Sequence, residues 1–442
     1  MTFLLAVCMA VSLLAVPAGA ANTAAVTFSD VGDKSTAVAV ESLRLLGVLD
    51  GYGDGTFRPG TVLTRAQFCK MAVYAMNGSN ELGRYRTVTV FSDVKPSYWA
   101  APYINMAAKG KNIISGYADG KFHPDRTVTV GQAVTILLRM LGYSDKTGDF
   151  EISDAAAFAW RIGLTGRQLI GILSMGDLAE AIYDALDFCY KGTETTVLSR
   201  LMDLGVCTAS AANALGLLNK DYTARQLADR YLSAAFQLSL YETEEQVHDE
   251  VSSADASGFF ISADGLAVTN YHSIEDSIKA TATLLNGETY EVERVLYYDT
   301  GIDIAVIKVS RTNQSRRTTS AFNHLDLVGT ADIRPGDPVY AIGNPLGLGL
   351  AISSGIIGST AHELDRYALP CIVNSADISR GSSGGALMNA HGQVIGVTSG
   401  AYTYGNNMYL AVPVDPVMAA DLTVSGWTLK EVKAIEAAKD KD

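Results

Sequence analysis

The chain has 442 residues, 48% hydrophobic and 18% charged, with a net charge of −13. The length predicts two or three domains, and the composition excludes a disordered chain or a coiled coil. The acidic balance excludes a nucleic-acid binder, because nothing neutralises a run of phosphates. The absence of a long apolar run beyond the N-terminus excludes a multi-span membrane protein.

Residues 3–16 are almost wholly apolar and lead into Pro17, then Ala18, Gly19 and Ala20. This predicts a secretory signal peptide over 1–20, cut near Ala20, although a Lys or Arg near the start is missing. Val7 is bulky for a residue ahead of a lipid-bearing Cys8. Cys69, Cys189, Cys207 and Cys371 form no C-x-x-C pair, so isolated apolar thiols are expected rather than disulfides or a zinc site.

The next stretch repeats itself. Phe28-Ser29-Asp30-Val31 returns as Phe91-Ser92-Asp93-Val94, and GYGDGTFRP over 51–59 returns as GYADGKFHP over 116–124. Such self-similarity implies one supersecondary unit used repeatedly. In copy one, Val38, Leu43, Leu45, Leu46 and Val48 suit an apolar helix face ending near Gly47. The glycine-rich block supplies tight turns. Thr64 then caps a second helix, Arg65 to Met76. Copy two follows with Ile104, Ala107, Ile113 and Ile114, then a helix from Thr129 through Leu141. The Asp50-to-Gly55 string lacks the downstream acid of a calcium loop.

These blocks resemble the S-layer homology family, whose signature is F-x-D-V, G-Y-x-D-G-x-F-x-P and a T-R-A-E-like helix start, here Thr64-Arg65-Ala66-Gln67. On that resemblance repeat 1 spans 27–80, repeat 2 spans 90–145, and 146–192 form a third, degenerate copy. Trp160, Gly163, Leu164 and Ser174-Met175-Gly176-Asp177 mark that copy. The resemblance implies a mostly helical module that holds a secreted protein to bacterial cell-wall polysaccharide. It makes Arg65 and Trp99 the cell-wall-binding candidates. A guanidinium suits a carboxylate-bearing polymer. Val130 and Met175 stand where the other copies would carry the arginine, and copy one lacks the tryptophan.

Residues 193–231 predict a helical linker, with Leu198, Leu201, Met202 and Leu204 on one face and Thr223 capping a later helix. Phe236 to Tyr241 alternates like a first strand. The acidic run Glu242 to Glu250 reads as solvated loop or hairpin surface. From Ser257 onward, short β-runs follow at 258–262, 267–269, 289–292, 304–309, 338–342, 352–357, 393–397 and 409–412. They predict an all-β barrel or sandwich.

Three blocks there carry chemistry. His272 follows a buried strand in Val268-Thr-Asn-Tyr-His272. Asp303 heads the apolar strand Ile304 to Val309. Ser383 lies in the glycine-rich loop Gly381-Ser-Ser-Gly-Gly385. Serine is a weak nucleophile that needs a base, neutral imidazole is that base near pH 7, and a buried carboxylate fixes its tautomer. Flanking glycines let backbone N–H groups approach a developing oxyanion.

Over 232–418 these strings, with Ser257-Gly-Phe-Phe-Ile-Ser and Ala341-Ile-Gly-Asn-Pro-Leu-Gly347, resemble trypsin-like serine proteases of the HtrA/Deg type. The resemblance implies a two-barrel, chymotrypsin-like all-β domain behind the mostly α repeat module. It implies His272 as base, Asp303 as its orienter, Ser383 as nucleophile, and an oxyanion hole from the N–H groups of Gly381 and Ser383. Asp377, six residues before Ser383, is a substrate-pocket candidate that would favour Lys or Arg; it can equally be a surface acid, or pair with Arg380. Residues 419–442 read as a tail with a helix-like stretch from Thr428 to Lys439, and no PDZ module is expected. No cofactor or metal is expected: His123, His248, His324, His362 and His391 lack ligand spacing. The expected partners are protein or peptide substrates and the wall polymer, with a homotrimer open. The expected location is secreted, at the cell wall. A non-catalytic trypsin-like scaffold is the alternative.

Overall fold

The computed structural model describes residues 28–49, 51–75, 78–166, 169–193, 195–218, 220–401 and 407–439. The expected signal peptide and Asp50 lie outside the described residues. The chain divides into two compact units: one of residues up to 145 with 151–156 and 169–218, the other of 146–150, 157–168 and 219 onward. These divisions differ from the boundaries expected at 146, 193 and 232. Part of the third segment groups with the C-terminal unit, and the linker splits after residue 218.

In the first unit, the recurring blocks recur because they lock onto each other. The Asp30 carboxylate accepts the backbone N–H groups of Phe57 and Arg58 at 2.8 and 2.7 Å. Asp93 does the same for Phe122 and His123 at 2.9 and 2.7 Å. Both acids pin a left-handed residue, Arg58 at φ 60° and His123 at φ 53°, and so drive Phe57 and Phe122 wholly into the core. A Cβ on Gly116 would lie 2.5 Å from the Phe91 ring, so only glycine fits beneath that aromatic residue. Asp54, the acid of the calcium-like string, accepts the Thr56 hydroxyl at 2.6 Å and Arg58 Nη2 at 2.7 Å. Those donors bring its carboxyl down to about 2.

Three helices in this unit are each entered through a short extended segment. The helices are Arg65–Ala75, Val130–Met140 and Met175–Ala185, the last two started by capping boxes, Thr129 with Gln132 and Ser174 with Asp177. The segments ahead of them pair in a cycle: Val62 with Ser174, Thr64 with Thr127, Thr129 with Ile172. At the centre Leu63 donates to Leu173, Leu173 to Val128 and Val128 to Leu63, at 3.3, 3.4 and 2.9 Å. All three are buried. Residues 172–174 therefore close a ring with the segments ahead of the other two helices, although 146–192 carry no F-x-D-V block.

Three short threonine-capped helices follow, Val197–Asp203, Ala209–Ala214 and Ala224–Tyr231. The acidic run is not loop or hairpin surface: Glu244–Asp249 is a helix, because Thr243 and Gln246 form a capping box ahead of it.

The second unit holds two closed antiparallel barrels. The first comprises β1 (Ala235–Tyr241), β2 (Ala254–Phe260), β3 (Leu266–Thr269), β4 (Lys279–Leu284), β5 (Thr289–Asp299) and β6 (Ile304–Asn313), in the order β1-β2-β3-β6-β5-β4. The second comprises β7 (Pro338–Gly343), β8 (Ala351–His362), β9 (Cys371–Asn374), β10 (Ala386–Met388), β11 (Val394–Ala401) and β12 (Tyr409–Pro413). Its order, β10-β11-β12-β9-β8-β7, is the same topology. This is the chymotrypsin-like arrangement expected, in its barrel rather than its sandwich form.

Side-chain alternation builds three cores from these strands. Phe260, Ala305 and Ile307 fill the first barrel. Ile372, Ile395 and Ala411 fill the second. Their sequence neighbours Phe259, Ile304, Val306, Cys371, Val373, Val394 and Val412 form the layer between the barrels. The strand after Asp303 is buried on both faces, which explains its unbroken apolar run. The C-terminal helix Leu429–Lys439 buries Leu429 and Val432 against the first barrel. Ahead of it, Trp427 pairs with Val295 of β5 through two backbone hydrogen bonds of 2.7 and 2.9 Å.

Candidate active site

The three chemistry-bearing blocks meet at the seam between the barrels. His272 lies on the single-turn helix Tyr271–Ile274, which only Asn270 separates from the end of β3. Asp303 sits just before β6 in the left-handed region, at φ 59°. Its backbone carbonyl is held by Asn270 Nδ2 at 2.8 Å. Its carboxylate accepts the His272 backbone N–H at 2.9 Å, and the ring Nδ1 lies 2.8 Å from Oδ2. Ser399, on β11, donates its hydroxyl to the same Oδ2 at 2.6 Å. Burial pushes the Asp303 carboxyl upward, but the hydrogen bond and charge of His272, with the Ser399 hydroxyl, outweigh it and hold the group below its ordinary value.

Ser383 lies in the loop ahead of β10. Its Oγ donates to the Ser399 carbonyl at 3.2 Å rather than to the His272 ring. Two peptide planes beside it are fixed by their carbonyls. The Arg380 carbonyl accepts Leu346 N–H at 2.7 Å. The Ser382 carbonyl accepts Thr398 Oγ1 at 2.7 Å and Gly385 N–H at 3.0 Å. In a trans peptide N–H and C=O point opposite ways. The N–H groups of Gly381 and Ser383 are thus turned away from these partners, and neither has an acceptor among the described residues. Gly384 has φ 86°, and a Cβ there would lie 2.2 Å from the Ser257 carbonyl, so glycine is needed.

Sequence reasoning missed two residues of this arrangement. Ser257 on β2 clamps the serine loop from the other barrel: its N–H donates to the Ser383 carbonyl at 2.8 Å and its Oγ to the Gly381 carbonyl at 2.7 Å. Ser399 also went unmarked, since a serine in an ordinary strand carries no spacing signal.

Asp377 is not brought to the Asp303–His272 pair. Its carboxylate is exposed and accepts the Tyr409 hydroxyl, and its carbonyl accepts Ser353 Oγ at 2.6 Å. It borders a cavity of about 170 Å³ with Ile342, Ala351, Ser353, Ile378 and Ser382. Arg380 makes no ion pair with it among the described residues.

In the repeats, Arg65 is not presented to a polymer, which corrects its expected role. It is 4% exposed. Its Nε donates to the Phe122 carbonyl at 2.9 Å and Nη2 to the Ser115 carbonyl at 3.2 Å, while the guanidinium lies 4.5 Å from the Phe122 ring centre. It braces copy one against copy two. Trp99 is 50% exposed beside Tyr98. Cys69, Cys207 and Cys371 are buried and Cys189 is half-buried, and none of the four is in a disulfide among the described residues.

A family described as trypsin-like peptidase domain matches residues 256–397, and one described as S-layer homology domain matches 27–69 and 90–134. The chain combines two S-layer homology domains with a trypsin-like peptidase domain. Residues 146–192, expected as a third copy, lie outside both matches. The peptidase domain is similar to a probable periplasmic serine endoprotease DegP-like of Halomonas elongata, 35% identical over 177 residues, covering 39% of this chain and 35% of the relative. It is also similar to the mitochondrial serine protease HTRA2 of Bos taurus, 36% identical over 171 residues, covering 38% and 35%. Serine protease HTRA1A of Danio rerio is 31% identical over 219 residues, covering 48% and 44%. The chain thus spans less than half the length of these relatives. Among solved structures, an HtrA-type protease, AlgWS227A with tripeptide, matches at 24% identity and a TM-score of 0.38, covering 45% of this chain and 62% of that one.

Proposed function

We propose that the protein is a serine endopeptidase that works through Ser383, His272 and Asp303 and is held at the cell surface by its S-layer homology repeats. The observation that carries this reading is the Asp303–His272 pair, with a serine loop held beside it in which the N–H groups of Gly381 and Ser383 have no acceptor among the described residues. With Nδ1–H held by Asp303, Nε2 is the free base. Turning the Ser383 hydroxyl from the Ser399 carbonyl toward Nε2 arms it. Oγ then attacks the peptide carbonyl carbon as Nε2 takes its proton, and the oxyanion falls to the N–H groups of Gly381 and Ser383. The amine leaves with the proton from Nε2, and water, activated by the same base, releases the acyl group.

A non-catalytic trypsin-like scaffold is the second reading, favoured by the Ser383 hydroxyl donating to Ser399 instead of His272. Labelling with a fluorophosphonate serine probe decides between them. Label that vanishes in Ser383→Ala establishes the activated nucleophile; a folded protein that takes no label leaves the scaffold. Asp377 is the group to read a Lys or Arg side chain of a substrate, checked by comparing cleavage of a peptide library by the parent and Asp377→Asn. Wall attachment uses Trp99, whose exposed ring can stack on a sugar face. Trp99→Ala lowers retention on purified cell walls if that is so, and unchanged retention removes the assignment.

A further inference from the structure

Behind Asp303 lies a hydroxyl chain that no motif marks. Ser399 Oγ is 2.6 Å from Asp303 Oδ2, and the Tyr367 hydroxyl is 2.8 Å from Ser399 Oγ. A carboxylate only accepts, and serine has a single hydroxyl proton. That proton goes to Asp303, so Tyr367 must be the donor to Ser399. The chain runs one way: Tyr367 to Ser399 to Asp303, met from the other side by His272 Nδ1.

Tyr367 comes from the segment between β8 and β9. From 363 to 370 its neighbours are exposed or partly so, and it alone is buried, at 8% exposure. Its N–H donates to the Leu364 carbonyl at 2.9 Å, and the next N–H, of Ala368, donates to the Gly301 carbonyl at 2.7 Å, two residues before Asp303. The second barrel thus delivers one phenol to the back of the turn that carries Asp303. Burial pushes that phenol above its ordinary value, so it keeps its proton to donate.

We propose that Tyr367 is a positioning residue for the triad, fixing Ser399 in the rotamer that donates to Asp303 and so holding Asp303 square to His272. This rests on the triad reading above. Without the phenol O–H, Ser399 Oγ loses its donor and is free to turn, and Asp303 Oδ2 loses a fixed partner.

The test uses the full chain and a fluorophosphonate, measuring the saturating inactivation rate and the half-saturating probe concentration separately. Tyr367→Phe keeps the ring and its packing. It lowers the saturating rate about threefold to tenfold, on the scale of one buried hydrogen bond, at unchanged half-saturation and nearly unchanged melting temperature. Ser399→Ala alone shows at least the same loss, and Tyr367→Phe adds nothing to it. An unchanged saturating rate in Tyr367→Phe, or losses that multiply in the double variant, overturns the proposal while the triad stands. A parent chain whose Ser383 takes no label overturns the triad reading and this proposal together.

Discussion

In the repeats, Asp30 and Asp93 each commit their carboxylate oxygens to two backbone N–H groups of a left-handed turn. In the peptidase domain, Asp303 takes one backbone N–H, that of His272, and turns its remaining acceptor capacity to a ring nitrogen and a hydroxyl. Both kinds of acid hold a loop in place. Only the second is hydrogen-bonded directly to a ring nitrogen that can take up a proton. A carboxylate saturated by amides is a staple, whereas one shared with imidazole orients a base.

Exchanging each acid for its amide breaks this comparison most sharply. Asparagine tolerates the left-handed backbone of Asp303. Asp303→Asn should therefore leave the protein folded, yet lower fluorophosphonate labelling by on the order of 10³–10⁴-fold through the wrong imidazole tautomer. Asp93→Asn should leave labelling of Ser383 unchanged and lower unfolding free energy by about 1–3 kcal/mol, since one buried N–H then faces an NH₂ group. Denaturant melts of both variants check the second half. Equal effects on labelling would erase the distinction.

A smaller effect separates them by pH. The Asp303 carboxyl is held below its ordinary 3.8. The folded chain thus binds that proton less readily than the unfolded one, so the group stabilises above pH 3.8 and its contribution fades as pH falls through the lower folded value. The stability gap between parent and Asp303→Asn should shrink as acid is added below that point, as read by urea melts. Gly116→Ala should cost about 1–3 kcal/mol, because its Cβ meets the Phe91 ring and the Lys121 carbonyl. Ser174→Ala should cost about 1 kcal/mol through its capping box, which would show residues 172–174 sharing in the stability of the unit.

The parts legible in the sequence were those where a residue type and its spacing have one physical reading. Glycine, aspartate and aromatic residues at fixed offsets announced the repeats, and His272, Asp303 and Ser383 stood out beside apolar strands and glycines. Strands β4, β9 and β10 were not legible. Lys279 to Leu284 is mostly alanine and threonine, while Cys371–Asn374 and Ala386–Met388 are too short to show alternation and are strands only because β8, β11 and β12 pair with them. The helix Glu244–Asp249 was legible in Thr243 and Gln246, but the acidic charge drew attention away from the capping signal. Arg65 was misread because its residue type suits a carboxylate ligand, while its surroundings, the Phe122 and Ser115 carbonyls, are set by the fold. Tyr367 and Ser399 sit far apart in sequence and meet only across the barrel.

The three-way closure at Leu63, Val128 and Leu173 has a consequence for how this chain can change over generations. An open stack of repeats can gain or lose a copy and merely grow or shrink. A closed triangle has no spare end: deleting any member strips both others of a neighbour. Losing one segment would therefore cost the unit two of its three pairings at once, whereas substitutions within a segment that keep its buried residue and the capped helix behind it would leave the ring closed. Residues 172–174 hold such a place without the F-x-D-V block that precedes the other two segments.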